Sequence, residues 1–197
     1  MKILYLYYNQ PEAIENLKSL GYDKCNHEII IIDDGSEIPL KCDWATVYRI
    51  DKDVAWNMPM ANNLGLSKIP DEVVLRMDID HFFTLQDLKN VDEIKVDEKE
   101  IIKFKRLYNG NEIRPGKNIY LARVNDIVNV GGYNEIFCGN YGFEDGELMH
   151  RMSKNGFKFT LSNIFCRVDG DLHTKNLDRN TDINYKKYLR IIEKSNL

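Results

Sequence analysis

Apolar residues in this chain gather in short, nearly continuous runs. Ile3–Tyr7 (ILYLY), Glu28–Ile32 (EIIII) and Glu72–Met77 (EVVLRM) carry β-branched, aliphatic or aromatic side chains at almost every position. Strands covered on both faces read this way, because neither side meets water. Thr46–Ile50 is a shorter run of the same kind. Between the runs, Pro11 opens a helix through about Leu20 that Gly21 ends. A second helix spans Met60–Ser67, with Pro59 near its start and Pro70 beyond its end. The order strand, helix, strand, strand, helix, strand predicts a mostly parallel central α/β sheet flanked by helices.

The second half reads as a smaller, mixed sheet. Ile101–Leu107 and Ile119–Arg123 are its predicted strands, and the Gly-, Asn- and charge-rich stretch between Leu107 and Asn118 is a loop or hairpin. Glu144–Asn155 is a helix closed by Gly156, and Asp182–Lys194 is a terminal amphipathic helix whose apolar residues serve packing. No internal repeat is present.

At 197 residues, with 43 % apolar and 29 % charged positions, one well-buried domain is expected. The net charge of −4 and the lack of any basic block argue against a nucleic-acid partner. No stretch is long and apolar enough for a membrane span, and a first strand at Ile3 leaves no room for a targeting segment. Cys25, Cys42, Cys138 and Cys166 show no Cys-x-x-Cys spacing and read as free thiols of a reducing, cytoplasmic compartment. The oligomeric state is not legible, with a monomer the simpler expectation.

Three predicted strands end in polar clusters: Tyr7-Tyr8-Asn9, Asp33-Asp34-Gly35-Ser36 and Asp78-Ile79-Asp80-His81. If the strands are parallel, the clusters share the rim where open α/β sheets bind ligands. Asp33–Ser36 taken alone is an ordinary turn composition. Asp78 and Asp80 are more specific, since two acids at a strand end can hold Mg²⁺ or Mn²⁺ and leave positions open for water and phosphate oxygens. The same spacing recurs at Asp51/Asp53 and Asp169/Asp171, but without a comparable apolar strand before it.

An Asp-Asp-Gly-Ser strand end followed by Asp-x-Asp some forty-five residues on resembles the nucleotide-sugar-dependent glycosyltransferases of the GT-A fold, close to their family 2. DVAWNMPMANNLG (53–65) is similar to a Trp-Asn…Arg-Asn-x-Gly stretch of some of those enzymes, with Asn62 where an Arg is common. VGGYNEIFCGNYGFEDGELMHRM (130–152) resembles their Gly-Gly-Tyr…Gly-x-Glu-Asp-x-x-Leu-x-x-Arg block, which galactosyltransferase-like families share. The resemblance covers roughly residues 3–173. It implies a single Rossmann-like GT-A domain over 1–197, with a nucleotide-binding half (1–83), an acceptor and catalytic half (84–175) and a C-terminal helix (176–197). The short chain suggests a compact viral or bacterial enzyme, or the first domain of a longer glycan-building protein.

The resemblance also implies roles. A UDP-sugar would be the donor and a hydroxyl of a glycan the acceptor. Mn²⁺ (or Mg²⁺) would sit on Asp80, with Asp78 on the metal, its water or the ribose, and His173 as a third ligand. Asp145 would take the acceptor proton in an inverting displacement, and Glu144 would orient the acceptor or hold the loop. Asp33 and Asp34 would bind base and ribose, Tyr7 or Tyr8 would stack on the base, and Trp56 and Asn57 would line the donor pocket. Arg76 would reach phosphate or pair with a carboxylate. Tyr133, Phe137 and Tyr141 are candidates to stack on an acceptor sugar. Of the other histidines, His81 is expected to point away from Asp80, His150 to be structural and His27 to lie at the surface. Three rivals stay open. A nucleotidyltransferase of this fold needs a basic, Gly-rich loop after the first strand, unlike YYNQPE. An aspartyl phosphatase needs an N-terminal Asp-x-Asp followed by Thr or Val, whereas Phe82-Phe83 follow here. A non-catalytic nucleotide-sugar or carbohydrate-binding module would bind without turnover.

Overall fold

The computed structural model describes residues 1–170 and 177–195. Its strands are β1 (Lys2–Tyr7), β2 (Glu28–Asp34), β3 (Thr46–Ile50), β4 (Val73–Asp78), β5 (His81–Phe82), β6 (Glu100–Tyr108), β7 (Asn111–Ile113), β8 (Tyr120–Arg123) and β9 (Lys158–Val168). Its helices are α1 (Pro11–Ser19), α2 (Met58–Ser67), α3 (Leu85–Asp92), α4 (Val124–Asn129), α5 (Glu144–Lys154) and α6 (Asp182–Ser195).

All described strands belong to one sheet, ordered β3-β2-β1-β4-β8-β6-β9-β5, with β7 paired to β6 as a hairpin. The first four strands are mutually parallel. The mixed half continues the same sheet through β8, which runs antiparallel to both β4 and β6. β1 sits centrally, with β2 and β3 on one side and β4 on the other. Register puts Tyr7 beside Asp33 and Leu6 beside Asp78, so the carboxyl ends of β1, β2 and β4 form one rim at the topological switch point.

The alternation of each strand feeds two cores. Ile3, Tyr5, Ile29 and Ile31 pack under Ala13, Ile14 and Leu17 of α1 and Leu88 and Val91 of α3. Leu4, Leu6, Ile30 and Ile32 face the other way, toward Ala61 and Leu66 of α2, Ile127 of α4 and Leu148 and Met152 of α5. α2 can lie this close to the sheet because residue 65 has no side chain: a Cβ there would stand 2.5 Å from Leu4 Cδ1.

Four elements are not in the sequence pattern. α3 is started by Thr84, whose hydroxyl accepts from Asp87 N at 3.0 Å and supplies an N-cap. α4 is six residues long, too short for a helical period to show. β5 has two residues and exists only through its antiparallel pairing with β9. β9 alternates exposed and half-buried residues, and its parallel partnership with β6 rather than its own apolarity makes it a strand.

Candidate active site

At the end of β2, Asp33 is fully buried and saturated by the protein. Its carboxylate accepts from Ser36 N (3.0 Å), Leu40 N (3.0 Å) and Arg49 Nη1 (2.5 Å). The sequence reading of Asp33 as a nucleotide contact is therefore corrected: it fixes the turn that follows β2. Asp34 is the residue that faces the rim. Asn57 Nδ2 donates to it at 2.9 Å, so Asn57, itself fully buried, supports Asp34 from the start of α2. Burial pushes the Asp34 carboxyl up to about 6, with Asn57 opposing and the charges of Asp33 and Asp53 adding to the rise.

Tyr7 does not offer a stacking face. Alternation along β1 places it with Tyr5 in the α1 core, 4 % exposed. Its neighbour Tyr8 is half-buried, and its hydroxyl lies 3.3 Å from both Asp53 carboxylate oxygens. Tyr133 and Phe137 are also core residues, which removes them as sugar platforms. Trp56 and Tyr141 are both half-buried, with ring centroids 4.4 Å apart.

Arg76 on β4 is the largest fully buried side chain. Its guanidinium lies 2.8 Å from Asp78 Oδ1, while Nε donates to Asn62 Oδ1 at 2.8 Å and Nη1 to the Asn118 carbonyl at 2.5 Å. Burial works against its charge, and Asp78, Tyr133, Asp145 and Tyr120 together more than restore it. Of the two roles expected of Arg76, the buried guanidinium takes the pairing with a carboxylate and leaves no exposed surface for a phosphate. Asn62, standing where an Arg is common in the resembling enzymes, is an acceptor for this arginine. Asn118 also hydrogen-bonds the other Asp78 oxygen through its side-chain amide.

Asp78, Asp80 and His81 bring one ligand atom each to within 4.8 Å of one another. His81 Nδ1 lies 2.5 Å from Asp80 Oδ1, contrary to the expectation that it points away. The reason is local: residues 79–80 form a turn between β4 and β5, so strand alternation does not carry across it. The buried Nε2 of His81 has no hydrogen-bond partner. Two carboxylates and an imidazole at this spacing fit a divalent cation such as Mn²⁺. His173 lies outside the described residues.

Glu144 and Asp145 open α5, close to the same rim. Asp145 is half-buried, and Tyr133 Oη donates to its Oδ1 at 3.2 Å; Tyr133 Oη in turn lies 3.0 Å from Tyr120 Oη. Burial raises the Asp145 carboxyl above the usual range, Arg76 opposes that rise, and the charge of Asp78 adds to it. Glu144 is 4 % exposed with Oε2 unpartnered. Burial, and then Asp145 beside it, push Glu144 up to about 8.

α6 does more than pack. Asn184 is fully buried and its amide lies 3.0, 2.6 and 3.0 Å from the carbonyls of Phe137, Asn140 and Gly142. Tyr185 and Tyr188 flank Phe143, with centroids at 5.3 and 5.2 Å, and hold it at φ 73°, a left-handed conformation uncommon for a bulky residue. The helix thereby fixes the loop that delivers Glu144 and Asp145. Sequence periodicity could not show this, because Asn184 looks like any polar residue of an amphipathic helix.

A parallel half joined through β8 to a mixed half, with carboxylates at the switch point, is the GT-A arrangement, a Rossmann-like α/β fold. Solved structures agree. The mannosyltransferase PcManGT from Pyrobaculum calidifontis, solved with GDP-Man and Mn²⁺, superposes with a TM-score of 0.61 at 12 % identity over 89 % of this chain. GalNAc-T7, solved with UDP, GalNAc and Mn²⁺, gives 0.57 at 10 % identity over 85 %. A nucleotidyl transferase from Methanothermobacter thermautotroptrophicus gives 0.54 at 10 % identity over 96 % of this chain and 98 % of its own. The chain spans 58 % of PcManGT and 43 % of GalNAc-T7. At such identities the likeness establishes the fold. No family model matches the sequence, and no curated protein does. No described helix is long and apolar enough to cross a membrane, and none of the four cysteines is disulfide-bonded.

Proposed function

We propose that this chain is a metal-dependent, inverting glycosyltransferase that moves a hexose from a UDP-sugar to a hydroxyl of a glycan. The observation that carries this reading is the juxtaposition, about one buried arginine, of a cation-binding cluster at Asp78, Asp80 and His81 and a base candidate at Asp145. Arg76 pairs directly with Asp78 and lowers the proton affinity of Asp145.

Asp78 and Asp80 would hold a divalent cation, which supplies Lewis-acid neutralisation of a diphosphate leaving group. The chain's own residues do the rest. Asp34, backed by Asn57, accepts hydrogen bonds from the base or ribose. Asp145 accepts the acceptor's hydroxyl proton while that oxygen bonds to the anomeric carbon and the bond to the diphosphate oxygen breaks, its electron pair leaving with phosphate. A carboxyl held above its usual pKa is the stronger base, and the Tyr133 hydroxyl fixes which oxygen receives the proton. Displacement in one step inverts the anomeric centre.

The nucleotidyl transferase neighbour supports a second reading, since it is matched along nearly its whole length. Against it, the turn after β1 runs from Tyr8 through Asn9 and Gln10 into Pro11 of α1, with neither glycine nor cation to cradle a triphosphate.

The test is release of the nucleoside diphosphate from a panel of UDP-sugars and GDP-mannose with Mn²⁺, with and without glycan acceptors. The wild type should release nucleotide slowly without acceptor and faster with one. Asp145→Asn should abolish transfer yet keep donor affinity, whereas Asp80→Ala should lose metal-dependent donor binding. Equal loss of donor binding in both variants would overturn these roles, and binding without any turnover would favour a non-catalytic module.

A further inference from the structure

Four cations group together beside the rim in a protein of net charge −4: Lys103, which feels the charge of Asp145, and Arg106 on β6, and Arg114 and Lys117 in the loop between β7 and β8. None makes an ion pair with a carboxylate among the described residues, whereas Lys105 on the same strand does, with Glu112 at 3.7 Å. Hydrogen bonds knit the group to the site. Arg106 donates through Nε and Nη2 to the Arg114 carbonyl at 2.9 and 2.6 Å, and Asn118, the next residue after Lys117, holds both Asp78 and Arg76. Lys117 crosses the first turn of α5, where a Cβ on Gly146 would stand 3.2 Å from its Nζ. The first turn of α5 carries Glu144, Asp145 and Glu147, so Lys117 meets their charge there as well as the helix dipole, which opposes it. Lys103 shows how concentrated the charge is. Burial lowers its pKa to about 8, Asp145 opposes, and Lys117, Arg106 and Arg114 lower it further. Grouped cations not held in close ion pairs are the arrangement that recognises a carboxylate or phosphate.

Building on the glycosyltransferase reading, we infer that the acceptor is anionic: Lys103, Arg106, Arg114 and Lys117 receive a carboxylate or phosphate carried by the acceptor beside the hydroxyl that Asp145 deprotonates. The donor diphosphate would have its own partner in a cation held by Asp78 and Asp80. Lys103 feels the charge of Asp145 and Lys117 reaches the first turn of α5, while Arg114 is tied to the group through Arg106, which lies nearer the Asp78 and Asp80 charges. The anion can belong to a uronate sugar or to a phosphate-linked glycan.

Binding of four probes distinguishes these, each measured with saturating Mn²⁺ and UDP: tetragalacturonic acid, its tetramethyl ester, an alkyl-diphosphate-linked hexose and the matching alkyl hexoside. At least one anionic probe should bind about tenfold or more tighter than its neutral twin. Arg114→Ala/Lys117→Ala, both exposed loop positions, should erase that preference and leave Mn²⁺–UDP affinity within about twofold, and Arg114→Lys/Lys117→Arg should restore most of it. Which twin pair shows the preference names the source of the anion. Absence of preference in both pairs, or a preference that survives the double alanine variant, overturns the inference while the glycosyltransferase reading stands. Loss of Mn²⁺–UDP affinity in the double variant assigns the cations to the donor and overturns it too. A wild type that binds no nucleotide with Mn²⁺ overturns the reading beneath it.

Discussion

Replacing Arg76 by Met tests the keystone of the site. The substitution keeps most of the buried volume but removes the charge 2.8 Å from Asp78 Oδ1 and the donors to Asn62 Oδ1 and the Asn118 carbonyl. Breaking one partner of a buried pair costs about 3–5 kcal/mol, because the other charge is stranded. The Asp78 side chain keeps 26 % of its surface exposed, so water recovers part of that and the loss falls near the low end, about 3 kcal/mol. For a chain of this length each kcal/mol moves Tm by about 2–4 °C, which gives a fall of about 6–12 °C. Calorimetry and urea unfolding should be run on the wild type, Arg76→Met, Asp78→Asn and the double variant. If the stranded charge causes the damage, the double variant should be more stable than the sum of the single losses by about 1 kcal/mol or more. A single-variant loss below about 1 kcal/mol, or strict additivity, would refute the reasoning.

Three further perturbations follow from the geometry. Asn184→Ala strands three loop carbonyls and should cost about 1–3 kcal/mol in urea unfolding; the turnover of any donor with acceptor should fall further than donor affinity, because the loop aims Asp145. Glu144 has its pKa raised from 4.5 to about 8 by burial, so its contribution to stability is complete below about pH 4.5 and is lost as the pH climbs through 8. Glu144→Gln should accordingly flatten the decline of Tm between those limits, and an unchanged pH profile would contradict the burial argument. Gly65→Val drives a side chain into Leu4 and should lower Tm or prevent folding, while Ser67→Val, exposed on the same helix, should be mild; similar losses at both would deny that α2 needs its close approach.

The first half of the molecule was legible because its strands are buried on both faces, and a run such as Ile29–Ile32 admits few other conformations. The shared rim followed from parallel order alone. What escaped the sequence depends on partners distant in the chain. β9 is a strand because β6 lies beside it, and Asp33 spends its carboxylate on Ser36, Leu40 and Arg49 instead of a ligand. His81 was misjudged by carrying alternation through a turn. Arg76 was visible as an anomaly in an apolar run, yet its partners Asn62 and Asn118 lie fourteen residues before it and forty-two after it. Tyr133 belonged to a readable Gly-Gly-Tyr motif, but only the fold shows its hydroxyl on Asp145 instead of its ring on a sugar.

The account rests on a cation gripped by Asp78 and Asp80 where a nucleotide diphosphate can reach it, and Mn²⁺ electron paramagnetic resonance measures this directly. Titrating the wild type, Asp80→Ala and Asp145→Asn with Mn²⁺ in the presence of UDP should show a bound signal in the wild type and Asp145→Asn. In Asp80→Ala that signal should be lost, with affinity down by about a hundredfold or more. An Asp80→Ala protein that binds Mn²⁺ and UDP as tightly as the wild type would place the cation elsewhere and contradict the account.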